Sequence, residues 1–184
     1  MAPWLTLPSR LSLALCLAWC LAWCAHAPAG EPPAEKRTIL SLPLPAGFAD
    51  EPAAAGSFAK YILQLPLKPA GAPVRSFRDE IVREAGEVTA VVDWPLPPAM
   101  QQCADVAIRL RAEYLRGAGR AAEISFRSLS NDAISYAAWL RGTYSLSANG
   151  ARIVYNPGQE QPDASAVFER YLRFVMQYAN SASL

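Results

Sequence analysis

Apolar residues recur at helical spacing in two long segments of the chain. Over residues 98–116 they fall at i, i+3, i+4 and i+7, which predicts a helix with one apolar stripe facing the core. The stripe consists of Met100, Cys103, Val106, Ala107, Leu110 and Tyr114. The opposite face is polar, with opposite charges at i, i+4 spacing, and consists of Gln102, Asp105, Arg109, Glu113 and Arg116. A second amphipathic helix is predicted over residues 164–178.

Shorter patterns predict the remaining elements. Residues 57–65 predict a short helix capped by Ser57, and residues 133–140 another one capped by Asn131 or Asp132. Alternating or β-branched runs predict strands within 38–44, 74–77, 89–94, 122–127 and 153–155. Because strands and helices do not alternate regularly, the order favours the α+β class. We expect a single compact domain with a small mixed sheet packed against the two longer helices.

The N-terminal residues predict a secretory signal peptide. Residues 1–29 carry Arg10 as their only charge, followed by an apolar run over 11–25 and an Ala-x-Ala pair, Ala27 and Ala29. We expect cleavage after Ala29. A membrane-spanning helix needs about 20 apolar residues, and this run is shorter and leads into prolines. The expected organisation is therefore a signal peptide over 1–29, a Pro/Ala-rich linker and edge segment over 30–55, and an α+β domain over 56–184, with no membrane span after cleavage.

A lipoprotein is the alternative form of export. The repeated LAWC ends in Cys20 and again in Cys24. Lipid attachment requires a small residue before the cysteine, whereas Trp19 and Trp23 occupy that position. A periplasmic or secreted location is therefore favoured over a lipid-anchored one.

Composition and charge exclude several classes of function. Lys and Arg number 17 against 16 Asp and Glu, so the chain has no basic excess with which to bind nucleic acid. Three of the four cysteines and the single histidine, His26, lie in the predicted signal peptide. The remaining chain has only Cys103, and this excludes an internal disulfide, the usual zinc ligand sets and any imidazole-based triad. We expect no metal and no cofactor.

Three segments resemble a known family. They read SFAKYILQLPLKPAG from Ser57, AVVDWPLPPAMQQCADVAIRLRAEYL from Ala90 and FERYLRFVMQYANSASL from Phe168. In this order they resemble the bacterial secreted family known as domain of unknown function 4846, and QQCAD followed by RLRAEYL is the most distinctive part. The resemblance spans residues 57–184 and implies export and domain extent, but no activity. The strand after the long helix typically reads like IHF in that family, whereas here Ser125 stands in the place of the histidine.

Cys103 is the candidate catalytic residue. Near a helix N-terminus its thiolate would be favoured, and a cysteine there with a histidine on the next strand resembles the layout of papain-like and cell-wall cysteine hydrolases. Without histidine, the candidate bases are Asp105, Asp93 and Glu123. The alternative is that Cys103 is a small buried residue, which its place on the apolar stripe favours.

Four polar residues are candidates for ligand binding. Gln101, Gln102 and Asp105 could present amide and carboxylate groups to a polar ligand, or form a solvated first helical turn. Arg111 lies on the flank of the stripe, where its guanidinium could reach a buried partner or bind a carboxylate.

These observations favour an exported, non-catalytic binding or envelope-associated domain. Its ligand would be a small polar molecule, a peptide or a glycan. The alternative is a cysteine-hydrolase-like enzyme, or a degenerate relative of one, that acts through Cys103 on a peptide or cell-wall substrate.

Overall fold

The computed structural model describes residues 37–95 and 101–183. Helices and strands are interspersed along this part of the chain, which confirms the predicted α+β class. The helices are α1 (Phe58–Leu63), α2 (Cys103–Gly117), α3 (Tyr136–Trp139) and α4 (Ser165–Tyr178). The strands are β1 (Val74–Arg75), β2 (Ile81–Arg83), β3 (Ser125–Arg127), β4 (Ala133–Ser135), β5 (Gly142–Leu146) and β6 (Ile153–Pro157). Short 3-10 helices occupy Ile39–Ser41, Ala121–Glu123 and Ser181–Ser183.

The strands pair as three separate antiparallel ladders, β1 with β2, β3 with β4 and β5 with β6, where the sequence led us to expect one small mixed sheet. In the central ladder Phe126 lies opposite Ile134. In the longest ladder Gly142 faces Pro157 at one end and Leu146 faces Ile153 at the other. Each pair is joined by a loop of only a few residues, and such loops connect antiparallel strands, since parallel ones need a long crossover.

The hydrophobic core lies where α2, α3 and α4 meet the β3–β4 ladder. Ile108, Ile124, Ile134, Tyr171 and Val175 have no exposed surface. Around them pack the other buried core residues, which are Ala112, Leu115, Phe126, Tyr136, Trp139, Ile153, Val167, Phe168 and Leu172. The predicted long C-terminal helix is confirmed, since α4 begins at Ser165, ends at Tyr178 and buries its apolar face.

The buried face of α2 differs from the predicted one. Its fully buried positions are Ile108, Ala112 and Leu115, whereas Val106 from the predicted stripe is 37% exposed. The predicted stripe faces α1 at its C-terminal end, where the ring of Tyr114 lies 5.3 Å from that of Phe58. This helix has two apolar sectors, and the one containing Ile108 belongs to the same buried cluster as residues of α4 and of the β3–β4 ladder.

Two further expectations change in detail. Residues 89–94 form only an isolated bridge between Leu67 and Val92, where a core strand was expected. Residues 133–140 form β4 and the single turn of α3, and Ser135, not Asn131 or Asp132, caps that turn by accepting the Ala138 N–H. Asn131 has a φ of 66°, which belongs to the tight turn between β3 and β4.

Candidate functional site

A groove with a volume of about 860 Å³ lies between α2 and α4. The two helices run antiparallel, because Gln101 at the start of α2 contacts Met176 near the end of α4, whereas Arg116 near the end of α2 covers Phe168. From Gln101 to Arg116 an α-helix advances roughly 22 Å. The groove therefore has two distinct ends. We call the end near Arg116 the arginine end and the end near Gln101 the amide end.

The arginine end is built around Arg116. The guanidinium carbon lies 4.7 Å from the centre of the Phe168 ring, and Nε donates to Asp163 Oδ1 at 2.9 Å. The buried Tyr136 hydroxyl donates to the same carboxylate oxygen at 2.7 Å. The hydrogen bond from Tyr136 and the guanidinium of Arg116 hold the pKa of Asp163 below its usual value, while burial raises the pKa of Tyr136. Phe168 thus covers one face of the Arg116 guanidinium, and Asp163 binds one of its edges.

Between the two ends, Arg109 and Glu113 line the groove and form a stacked cluster with Trp94. The Arg109 guanidinium lies 3.7 Å from the centre of the Trp94 ring, and its Nε donates to Glu113 Oε1 at 2.7 Å. Trp94 Nε1 donates to the other oxygen of Glu113 at 2.9 Å. Burial, and then the negative charge of Glu113, raise the pKa of Tyr61. The charges of Arg109 and Glu113 are therefore mutually satisfied, and the pair anchors Trp94 to α2.

The amide end presents uncharged polar groups. Four side-chain amides line it, and they belong to Gln101, Gln102, Gln177 and Asn180. The Asp105 carboxylate accepts the Gln102 backbone N–H at 2.8 Å, so it caps the first turn of α2. The half-buried Met176 and Ala179 contribute apolar surface beside these amides. This end can exchange hydrogen bonds with a ligand in both directions, because each amide carries donors and acceptors.

The structure brings three of the predicted ligand-binding residues together and leaves the fourth out. Gln101, Gln102 and Asp105 all line the groove. Arg111 is exposed and forms no ion pair with any residue in 37–95 or 101–183. The buried partner considered for Arg111 is absent from those residues, because the core sector next to it consists of the small or aliphatic Ile108, Ala112 and Leu115.

Cys103 is exposed, and the expectation that it is buried on the apolar stripe is wrong. It is the first residue of α2, before the turn at which the helix meets the core. Of the candidate bases, Asp105 caps α2, Glu123 is paired with Arg120 at 2.6 Å, and Asp93 is exposed in a loop. The hydrogen bond from Arg120 lowers the pKa of Glu123.

Sequence reasoning missed the half of the groove that α4 contributes. The polar row of α2 lies opposite the predicted core stripe, yet Arg109, Glu113 and Arg116 are all partly buried and line the groove with residues of α4. On α4, Glu169 and Arg173 form the exposed lip, and their i, i+4 spacing was the available signal. The antiparallel pairing of α2 with α4, which the sequence does not specify, turns two polar rows into one groove.

Within residues 37–95 and 101–183, no three His, Cys, Asp or Glu side chains come together in a group able to hold a metal ion. No helix in the same ranges combines the length and the apolar character needed to cross a bilayer.

Comparison with known proteins places the chain in a family. Neither the curated proteins nor the solved structures include a match to it. A family model described as domain of unknown function (4846) matches residues 40–184, which is well over half of the chain. The match includes the whole groove and confirms the resemblance carried by the QQCAD and RLRAEYL strings. The chain therefore belongs to the family described as domain of unknown function (4846).

Proposed function

We propose that the chain is an exported, non-catalytic binding protein whose ligand is a short peptide held in the α2–α4 groove. The observation that carries the proposal is the composition of the groove, in which four side-chain amides lie beside apolar surface from the half-buried Met176 and Ala179. Peptide backbones need donors and acceptors in alternation, and amide side chains supply both. A thioether such as that of Met176 adapts to side chains of varied shape.

The dimensions fit an extended peptide. A helix pair about 22 Å long matches roughly six residues of extended chain, at about 3.3 Å for each residue. The volume of about 860 Å³ lies within the range of ligand sites in proteins, roughly 300–1,000 Å³. A peptide lying along the groove would contact both ends at once.

A glycan fits the groove less well than a peptide. Sugar rings pack on exposed aromatic faces, and Phe168 is the aromatic residue in the described lining of the groove. Phe168 is only 5% exposed and its ring is covered by Arg116. An uncovered aromatic platform is therefore lacking among the described lining residues.

Affinity selection from a synthetic library of random six-residue peptides, read by mass spectrometry, tests this proposal. Gln177→Ala removes an exposed amide from the groove, and Gln159→Ala removes an exposed amide elsewhere. We expect Gln177→Ala to weaken binding about fivefold, the loss of roughly 1 kcal/mol of hydrogen bonding. Gln159→Ala should bind as the wild type does. Retention of oligosaccharides in place of peptides, or equal effects of the two variants, would contradict the proposal.

Export is a separate part of the proposal, and the sequence of residues 1–29 supports it. Mass determination of the chain recovered from a bacterial periplasm or medium should give Gly30 as the N-terminus. Recovery of an uncleaved chain from the cytoplasm would contradict export, and a lipid-modified cysteine would support the lipoprotein alternative.

The cysteine-hydrolase alternative has one supporting observation. The thiol of Cys103 is exposed at the first residue of α2, where a substrate could reach it. The peptide-binding function is better supported, because Asp105 and Glu123 are engaged elsewhere and Cys103 does not line the groove.

A further inference from the structure

Arg116 is held in the α2–α4 groove by one carboxylate and one aromatic ring. Its Nε–Nη2 edge faces Asp163, where both nitrogens lie 2.9 Å from Oδ1, and its plane rests on Phe168. The side chain keeps 27% of its surface exposed, on the groove side of α2. A guanidinium carries five N–H donors, so these contacts leave donors for a ligand.

Asp163 holds Arg116, and Tyr136 in turn holds Asp163. Asp163 also accepts the Tyr136 hydroxyl at 2.7 Å, and Tyr136 has no exposed surface. This shared carboxylate cannot swing toward the ligand without breaking the hydrogen bond to Tyr136. Asp163 therefore orients the arginine, and Tyr136 orients Asp163, in the way that supporting residues orient a binding group.

The other charges at this end do not favour a cationic ligand. Glu113 is engaged by Arg109 and by Trp94. Glu169 and Arg173 both lie on the exposed lip of the groove, where their opposite charges offset each other. Among the arginines in the described lining, Arg109 is paired with a carboxylate that also lines the groove, and Arg173 is exposed. Arg116 alone is partly buried and paired with a carboxylate outside that lining.

We infer that the arginine end of the groove binds a carboxylate of the peptide ligand, with Arg116 as the contacting residue. The inference rests on the proposed function. The carboxylate would be an acidic side chain or the free C-terminus of the peptide, because a guanidinium recognises either by paired N–H donors.

Nuclear magnetic resonance spectra of the arginine Nε–Hε groups, recorded on the full chain labelled with ¹⁵N-arginine, test whether the Arg116 guanidinium contacts a carboxylate. The probes are three blocked tripeptides, acetyl-Ala-Glu-Ala-amide, acetyl-Ala-Gln-Ala-amide and acetyl-Ala-Lys-Ala-amide, together with acetyl-Ala-Ala-Ala carrying a free C-terminus. We expect the Arg116 resonance to shift with the Glu peptide or the free carboxylate at least threefold more than with the Gln peptide. Sodium acetate at equal concentration should give a smaller shift than either.

Variants separate the failure of this inference from the failure of peptide binding. Arg116→Gln should remove the preference for the Glu peptide over the Gln peptide, Arg116→Lys should retain part of it, and Arg111→Gln should leave it intact. If backbone amides of α2 and α4 shift equally with Glu, Gln and Lys peptides, the groove binds peptides and the carboxylate inference is wrong. If acetate shifts Arg116 as strongly as the peptides do, or the Lys peptide is preferred, the inference is also overturned.

Discussion

The hydroxyl of Tyr171 on α4 lies 2.8 Å from the backbone carbonyl oxygen of Ile134 on β4, and neither residue has exposed surface. This hydrogen bond connects the helix that forms one wall of the groove to the central strand pair. Burial raises the pKa of Tyr171, so the phenol is protonated and serves as a donor at neutral pH.

Removal of this single hydroxyl should destabilise the fold. Tyr171→Phe keeps the ring and leaves the Ile134 carbonyl without its side-chain donor, which should lower the free energy of unfolding by about 1–2 kcal/mol. Tyr178→Phe, at a half-buried tyrosine on the same helix, should change it by less than roughly 0.5 kcal/mol. Urea denaturation followed by circular dichroism measures both. Equal stability of the two variants would show that the connection between α4 and β4 does not depend on this bond.

Asp132 should make the stability of the chain sensitive to acid. Its carboxylate accepts hydrogen bonds from Arg152, from Ser130 at 2.7 Å and from the Ile153 N–H at 2.8 Å. These contacts, Arg152 first, hold the pKa of Asp132 well below its usual value. Because the folded chain resists protonation more than the unfolded chain does, the stability contributed by Asp132 is present above about pH 4 and is lost as the pH falls.

Asp132→Asn tests this contribution against a matched control. We expect the variant to be less stable than the wild type at pH 7. Between about pH 5 and about pH 2, the range around the ordinary pKa of aspartate, it should lose less stability than the wild type does. Asp50→Asn, at an exposed aspartate, should follow the wild type at every pH. If the stability of Asp132→Asn and that of the wild type fall identically with pH, Asp132 is not the source of the acid sensitivity.

Gly142 should tolerate no side chain. It is buried at the start of β5, where an added Cβ would overlap the carbonyl oxygen of Asn156 and lie 2.9 Å from a ring carbon of Tyr155. Gly142→Ala should therefore cost about 1–3 kcal/mol, the usual range for overpacking. Gly117→Ala, at the end of α2 with no atom near the new Cβ, should be neutral or slightly stabilising. Thermal unfolding of the two variants gives the comparison, and an unchanged Tm for Gly142→Ala would contradict the β5–β6 register.

Cys103 should react with a thiol reagent while the chain is folded. Its exposure predicts a rate within about tenfold of that of the denatured chain, since an exposed thiol needs no opening of the structure. Iodoacetamide labelling followed by peptide mapping isolates Cys103 from the other cysteines. Protection by a hundredfold or more would mean that the thiol is buried. Cys103→Ser should leave peptide binding unchanged, and loss of binding at an unchanged Tm would favour the hydrolase alternative.

Local patterns predicted the class and the long helices, and tertiary pairing decided the rest. The cap at Ser57 and the apolar face of α4 follow from side chains within one or two turns, and the structure has both. On α2 the sequence offered two apolar sectors, and only the docking of α4 and the β3–β4 ladder selects Ile108 over Val106. The groove depends on that selection, because it places Arg109 and Arg116 beside α4 instead of in solvent. Gln101, Gln102 and Asp105 could be found from their position at the helix start, whereas Arg116 needed its partners Asp163 and Phe168, which lie far away in the sequence.

A map of backbone amide shifts shows whether peptides bind in the α2–α4 groove. Spectra of the ¹⁵N-labelled chain are compared with and without the random six-residue peptide library in excess. We predict that shifts cluster on groove residues such as Gln102, Leu172 and Gln177, and that the β1–β2 and β5–β6 ladders remain unchanged. Shifts confined to either ladder, or an unchanged spectrum at millimolar peptide, would mean that the α2–α4 groove is not a peptide site.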